Sequence, residues 1–232
     1  MKLIAIISLC LLLLNPQAFA KVQVFACEPE WKALTETLGG DRVTAFSATT
    51  AFQDPHYIEA RPSLIAKTRR ADLLVCTGAE LEIGWLPLLL RQSGNAKVQQ
   101  GQTGYFLAAS QVKRIEVPTE TDRSKGDVHA SGNPHVYWDP YRLLTIAKAL
   151  SQRLQTIDAK NAAYYQQQLA KFTSDWQLQT KRWEAQAASL RGKKVIVYHK
   201  NWSYILQWLN MVEVADLEPI PGLPPTLSLI HI

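Results

Sequence analysis

Three of the five histidines occupy positions where a stiff or ordered stretch of backbone would hold the side chain. His56 and His135 each follow a proline, in the triplets DPH and NPH, and His199 follows the apolar run KVIVY. Proline fixes its own φ angle, so less entropy is lost when a loop is ordered around a ligand. Imidazole nitrogens bind transition metals, transfer protons or form ordinary hydrogen bonds. The three positions are far apart in sequence, so no short metal motif such as HExxH applies.

Each of these histidines alone is compatible with a hydrogen-bonded residue of the surface or the core. Three of them next to ordered elements, in a chain with few others, favour a metal site that the fold assembles. Open parallel sheets bind ligands in the loops at the carboxyl ends of their strands. A shared divalent metal is therefore the hypothesis that the surrounding elements must support.

The first hundred residues alternate short apolar runs with helical patterns, which is typical of a parallel sheet in an α/β lobe. Residues 99–132 are poor in periodic signal and predict strand fragments and a long surface loop. The predicted strands are 22–27, 43–46 and 73–76, and the predicted helices are 28–38, a helix capped by Ser63 and ending at Arg70, and a mostly helical stretch over 80–92.

A long helical pattern separates this segment from a second α/β pattern. Asp139 and Pro140 predict the start of one helix, as N-cap and first-turn residue. Residues 158–190 contain no Gly or Pro and predict a rod of roughly 45 Å. Its aromatic seam favours a helix that joins two lobes over a coiled coil. Gly192 ends this helix, and residues 194–198 predict the first strand of a second lobe.

The amino-terminal segment predicts export from the cytoplasm. Residues 1–20 combine one lysine, an apolar run and the ending Ala-Phe-Ala, which is typical of a cleaved signal peptide. Removing Lys2 lowers the formal net charge from +5 to +4. The chain has no Lys/Arg cluster, so we expect no nucleic-acid partner.

Cys27 and Cys76 are the cysteines that remain after export. Each ends an apolar run, VQVFAC or ADLLVC, and parallel neighbouring strands would bring these ends to disulfide distance. An exported chain keeps such a bond, but two buried thiols fit the pattern equally well.

Several segments resemble the metal-binding solute receptors of bacterial ABC importers, the zinc and manganese group. They are QDPHYIEARPSLIAKTRRADLLVCTGAELE, GDVHASGNPHVYWDP, VIVYHKNWSYILQWL and LEPIPGLPPT. The resemblance implies two α/β lobes joined by a rigid backbone helix, with the metal between them. It divides the chain into a signal peptide (1–20), an N-terminal lobe (21–140), a helical region (141–191) and a C-terminal lobe (192–232).

The resemblance also implies the ligand set. The family's DPH, NPH and strand-end histidines fall on His56, His135 and His199. The usual fourth ligand, a carboxylate or water, falls beyond the end of this chain, and Glu59 is a weak local substitute. His129 is an auxiliary ligand or, as we expect, a surface loop residue.

Three imidazoles favour zinc over manganese, which prefers oxygen ligands. The resemblance therefore implies a periplasmic, monomeric receptor that captures Zn²⁺ as cargo, with Mn²⁺ as the alternative, and delivers it to an ABC permease. We expect no enzymatic activity, because the chain has no HExxH or GxSxG motif. An exported zinc hydrolase and an adhesin on the same fold are the competing interpretations.

The final residues, LSLIHI, depart from the family pattern, which continues for roughly another quarter of its length. They also match the translation of a transposase adapter used in sequencing libraries. We therefore expect a C-terminally truncated chain with an incomplete second lobe, in which His231 is no ligand.

Overall fold

The computed structural model describes residues 20–119 and 129–218. Residues 1–19 of the predicted signal peptide and the terminal LSLIHI lie outside the described residues. In the described parts of the chain, no helix combines the length and the apolarity that crossing a membrane requires.

Four parallel strands form the first sheet, in the order β2-β1-β3-β4. They are β1 (Val22–Ala26), β2 (Val43–Ser47), β3 (Leu73–Cys76) and β4 (Tyr105–Leu107). The helices around them are α1 (Pro29–Gly39), α2 (Pro62–Arg69), α3 (Leu86–Ser93) and α4 (Pro140–Ile157). Parallel strands need crossover connections, and helices supply most of them here.

Both faces of this sheet are covered, because side chains along a strand alternate between faces. Val24 and Ala26 pack in the layer that contains α1 and α4. Phe25 and Cys27 pack on the opposite side, with α2 and α3. Burial of each large apolar side chain contributes about 1.5–3 kcal/mol, so β1 and β3 form a rigid centre.

The second sheet pairs β5 (Lys194–Val197) with β6 (Val212–Asp216) in parallel, across α6 (Ser203–Leu209). Before it, α5 (Ala162–Gln186) is a helix of 25 residues. Glu184 near its end accepts hydrogen bonds from Tyr141 Oη of α4 (2.7 Å) and Trp208 Nε1 of α6 (3.0 Å). The predicted α/β class, with two parallel sheets and a long helix between them, is confirmed.

The long helix is shorter than predicted, about 37 Å instead of 45 Å. Short 3₁₀ turns occupy residues 159–161 and 188–190 at its two ends. The Asp158 carboxylate accepts hydrogen bonds from Asn161 Nδ2 and Tyr165 Oη, both at 2.7 Å. Such side-chain bonds compete with helical backbone bonds and explain the later start.

Two other helix predictions need correction. Ser63 is not a cap: α2 begins at Pro62, and its N-cap Arg61 makes no capping side-chain bond. Proline is preorganised for the first helical position, so the helix begins two residues earlier than a Ser63 cap would place it. Residues 78–85 form turns, so the stretch predicted over 80–92 becomes helical only at Leu86. By contrast, Asp139 caps α4 as predicted, accepting bonds from the backbone of Tyr141 and Arg142.

Candidate metal centre

His56, His135 and His199 meet in one polar cleft between the two sheets. Their ring centres lie 6.3 Å (His56–His135), 6.2 Å (His56–His199) and 5.6 Å (His135–His199) apart. Tetrahedral zinc, bound at about 2.1 Å from each nitrogen, sets such ring centres roughly 5 Å apart. The cavity between the rings measures about 270 Å³, and Tyr198 and Glu218 are among its other lining residues. The three rings therefore lie close together, but the distances between their centres are up to about 1 Å longer than tetrahedral coordination requires.

His56 is held by the loop that follows β2. Asp54 Oδ1 accepts from the backbone N–H of His56 (2.9 Å) and lies 2.6 Å from its Nδ1. The carbonyl of Pro55 accepts from Nε1 of the buried Trp85, at 2.8 Å. The DPH turn is thus fixed to the residue just before α3, and its direction does not depend on a bound ion.

His135 repeats this arrangement at a buried position. Asn133 Oδ1 lies 3.0 Å from both the backbone nitrogen and Nδ1 of His135. In both triplets, the residue two positions before the histidine therefore orients it through one side-chain oxygen, as in an Asx-turn. Burial lowers the pKa of His135 well below its ordinary value, and the neighbouring His199, His56 and His129 lower it further. His135 is therefore neutral and ready to coordinate at neutral pH.

His199 lies two residues beyond the end of β5. Its Nδ1 lies 2.8 Å from Glu218 Oε2, and Glu218 lies two residues beyond the end of β6. Next to it, the carbonyl of Lys200 accepts from Asn133 Nδ2 at 2.8 Å. Tyr204 Oη donates to the carbonyl of Asn133 at 2.7 Å. The NPH turn thus also connects the two sheets.

In all three histidines, Nδ1 faces an oxygen atom that accepts a hydrogen bond. Carboxylates have no proton to donate. For Asn133, the Nδ2 group already donates to Glu116 and Lys200, so Oδ1 is the atom that faces His135. Each histidine therefore carries its proton on Nδ1 and has a free lone pair on Nε2. Hydrogen-bond acceptors that contact the ring nitrogen not used for coordination fix the tautomer of metal-binding histidines.

The structure also assigns places to the other candidate ligands. Glu59 is exposed and does not line the cavity formed by the described residues. His129, which we expected on the loop surface, instead stacks on His56 with its Nε2 3.3 Å from His56 Nε2. Glu218 was missed. The register of the second sheet could have indicated this residue. Val197 pairs with Asp216, so the residues that follow β5 and β6 lie side by side.

The two remaining cysteines form a disulfide. Cys27 and Cys76 are bonded across the ends of β1 and β3, with a Cα–Cα distance of 4.8 Å. Their sulfur atoms lie close to the Glu82 carboxylate. A disulfide sulfur is not a thiolate and is not a metal ligand, so this group does not compete with the histidines.

A pair of buried carboxyl groups, Glu28 and Glu82, lies at the same strand ends. Glu82 accepts hydrogen bonds from the backbone N–H of Thr77 (2.7 Å) and Gly78 (3.0 Å). Burial raises the pKa of Glu82 to about 7. Burial and the Glu82 charge raise the pKa of Glu28 well above its ordinary value. Glu28 is therefore the protonated partner, and its Oε2 accepts a hydrogen bond from Thr77 Oγ1 at 3.0 Å.

Comparison with known proteins gives one consistent family. Residues 24–226 match the family model described as zinc-uptake complex component A, periplasmic. The chain is 27% identical over 183 residues to the metal ABC transporter substrate-binding lipoprotein SloC of Streptococcus mutans, covering 75% of this chain and 56% of SloC. It is 27% identical to the manganese ABC transporter substrate-binding lipoprotein PsaA of Streptococcus pneumoniae, over 66% of this chain and 47% of PsaA. The chain thus spans about half the length of these relatives.

Solved structures agree on the fold. The crystal structure of ZnuA superposes with a TM-score of 0.75 at 21% identity, covering 91% of this chain and 76% of ZnuA. Zn(II)-bound AdcA from Streptococcus pneumoniae gives a TM-score of 0.69 at 19% identity, covering 91% of this chain and 42% of AdcA. With the family match over residues 24–226, the chain belongs to the ZnuA family, the periplasmic component A of zinc-uptake complexes.

Proposed function

We propose that this protein is an extracytoplasmic receptor that captures a divalent transition metal, zinc before manganese, and delivers it to an ABC permease. The observation that carries the proposal is the common orientation of three histidines. Each has an oxygen acceptor on Nδ1, at 2.6, 3.0 or 2.8 Å, and lines the same cavity with its other nitrogen available. Neutral imidazoles in this arrangement are a ready-made binding site rather than a set of surface residues.

The donor set supports zinc. Imidazole nitrogens suit zinc, whereas manganese prefers carboxylate and water oxygens. The named relatives include both a manganese-binding lipoprotein and a zinc-bound protein, so the family alone allows either metal. Here the third ligand position carries His199 instead of a carboxylate, which shifts the preference to zinc.

Capture is expected to draw the two sheets together. His56 and His135 follow elements of the first sheet, whereas His199 follows β5 of the second. Their rings are about 1 Å wider apart than tetrahedral zinc requires. Closing that gap brings His56 closer to both His135 and His199, and a closed form of this kind is what a permease would distinguish from the empty receptor.

Export and transport, rather than catalysis, fit the relatives. Those named above are substrate-binding lipoproteins of ABC transporters, so the hydrolase alternative has no support from the family. Residues 1–20 have the features of a signal peptide, and we place the mature protein in the periplasm.

The test is competition titration of Zn²⁺ and Mn²⁺ against a chelator, at pH 7.5, with His56→Ala, His135→Ala and His199→Ala. We expect one zinc ion per chain and a loss of roughly 100-fold or more in each variant, since each removes a direct ligand where outer partners alone cost 10–100-fold. Tyr198→Phe is the control, because it keeps the cavity wall and removes no ligand. Folded variants that retain wild-type zinc affinity contradict the proposal, and tighter binding of manganese than of zinc contradicts the metal assignment.

A further inference from the structure

We infer that His129 is a fourth nitrogen ligand, which completes a four-imidazole shell around the captured ion; this rests on the proposed function. Its Nε2 lies 3.3 Å from Nε2 of His56. A tetrahedral ion with metal–nitrogen bonds of about 2.1 Å separates any two of its nitrogens by about 3.4 Å. The pair is thus already at the spacing of two ligands on one ion.

The His129 ring packs against His56, while the cavity itself is lined by the other three histidines. The centre of the His129 ring is 5.3 Å from that of His56, close to the roughly 5 Å expected for two rings on one tetrahedral ion. The same His56 ring faces His135 and His199 at 6.3 and 6.2 Å. His56 is therefore the member that all the other imidazoles share, and His129 approaches it through the nitrogen that is needed for coordination.

In the metal-free protein this contact is an N–H···N hydrogen bond. His56 carries its proton on Nδ1, facing Asp54, so its Nε2 accepts and His129 Nε2 donates. Coordination requires the lone pair of His129 Nε2, so the neutral ring changes tautomer: Nε2 gives its proton to solvent and Nδ1 takes one up, with no net release of protons. The ion thus takes the place that this proton occupies in the empty site.

The backbone after His129 is held by a carboxylate at the end of β3. Glu80 accepts hydrogen bonds from the Ala130 N–H (2.6 Å) and from Ser131 Oγ (3.4 Å). Gly132 N–H donates to the carbonyl of His129 at 2.9 Å. His129 therefore begins a tied turn, and Glu80 is its positioning residue.

The geometry around this turn is restrictive on both sides. Gly132 has φ = +94°, and a Cβ there would approach the carbonyl oxygen of Ile115 to 2.8 Å, so the position requires glycine. Ala79 and Glu80 also have positive φ, at 49° and 71°. Such conformations are strained in residues other than glycine and accumulate where the chain must aim a functional group. Here they aim the Glu80 carboxylate at the turn after His129.

A fourth imidazole changes which metal the site prefers. Four nitrogens suit zinc, copper and nickel, and leave no oxygen donor for manganese. His129 is thus a specificity-determining residue as well as a ligand. Removing it opens one position to water and narrows the difference between zinc and manganese affinity.

The test is zinc K-edge X-ray absorption of the one-to-one zinc complex, combined with zinc and manganese titrations, in wild-type, His129→Ala, Glu80→Gln and Ser110→Ala proteins. We expect four nitrogen neighbours with imidazole scattering in wild type, and three plus one oxygen in His129→Ala. Zinc affinity should fall at least about 10-fold in His129→Ala, with stoichiometry unchanged and a smaller loss in Glu80→Gln. Ser110→Ala, remote from the cleft, should match wild type.

A wild-type shell of three imidazoles and an oxygen that is identical in His129→Ala overturns the inference. So does a His129→Ala protein with unchanged zinc affinity and unchanged zinc-over-manganese preference. Failure of the receptor proposal gives a different result, because His135→Ala and His199→Ala would then also bind zinc like wild type. His129→Gln, which keeps a polar side chain of similar size, and the thermal midpoint of each variant separate loss of a ligand from loss of folding.

Discussion

The two sheets hold their histidines in different ways. In the first sheet, β1 and β3 are buried on both faces, and the turns that carry His56 and His135 are bonded to buried groups such as Trp85. In the second sheet, the strands are largely exposed: Ile196 is 61% and Val214 52% accessible. His199 depends on Glu218, a residue beyond a strand end.

The two sheets therefore contribute differently to the candidate metal site. The first sheet supplies two of the histidines, each oriented by its own turn, and this orientation limits the entropy lost on binding. The second sheet supplies one ligand from strands that are largely exposed in this chain, which spans about half the length of the relatives it matches.

The largest expected effect is on the free energy of unfolding, and it tests the difference in side-chain packing between the two sheets. Leu74→Ala removes a fully buried side chain from β3 and should lower the free energy of unfolding by about 3 kcal/mol. Ile196→Ala, on the exposed strand β5, should cost about 0.5 kcal/mol. Urea unfolding of the metal-free protein measures both. Similar losses in the two variants would contradict the picture of one rigid and one loosely packed sheet.

The next effect compares the acceptors that orient the histidines. Glu218→Ala should weaken zinc binding about 10- to 100-fold, because Glu218 Oε2 is the acceptor that fixes the His199 ring. Asp54→Ala should cost less, since the DPH turn is also fixed through Trp85 and the Pro55 carbonyl. Chelator competition measures both, with the exposed Glu36→Ala as a control. An equal or larger loss for Asp54→Ala would mean that the first sheet does not preorganise its ligand.

A smaller effect concerns the bond that connects the two halves. Tyr204→Phe removes the hydroxyl that donates to the carbonyl of Asn133 at 2.7 Å. Leaving that buried acceptor unpaired should cost about 1–2 kcal/mol of stability. Urea unfolding measures the cost, and Tyr57→Phe, at an exposed position, is the control. If stability is unchanged, water replaces the hydroxyl and the link between the halves lies elsewhere.

The same comparison explains which features the sequence predicts. The strands β1, β2 and β3 and the Asp139 cap follow from local patterns, because buried strands give continuous apolar runs and capping is decided within three residues. The three histidines are found in the same way, since each follows a local marker, a proline or a strand.

Glu218 and the place of His129 are not predictable in this way. Each depends on a partner far along the chain, His199 for Glu218 and the Glu80 carboxylate for the turn after His129. The turn at Ala79 and Glu80 also replaces a predicted helical stretch, because backbone bonds to the buried Glu82 carboxylate stabilise positive φ angles that local propensity disfavours. Tertiary contacts, rather than periodicity, decide these residues.

The smallest expected effect is on stability, and it concerns the buried Glu28–Glu82 pair of the first sheet. Both carboxyls have raised pKa values in the folded protein, so the folded state keeps protons that the unfolded chain releases above about pH 4.5. Stability is therefore lost as pH rises above 4.5, through the pKa of Glu82 at about 7 and through the raised pKa of Glu28. Glu28→Gln replaces this carboxyl with a neutral amide of similar size, which has no proton to lose.

Unfolding of metal-free Glu28→Gln and wild type by urea, between pH 5 and 8, tests this cost. The variant should be more stable than wild type by about 1 kcal/mol at pH 8, with the advantage vanishing toward pH 5. His135 contributes the opposite slope in both proteins: burial lowers its pKa, so stability is lost as pH falls below its ordinary value. The difference between the two proteins cancels that slope. A constant difference across the pH range would show that the pair holds no extra proton, and the first sheet would then preorganise the site without this cost.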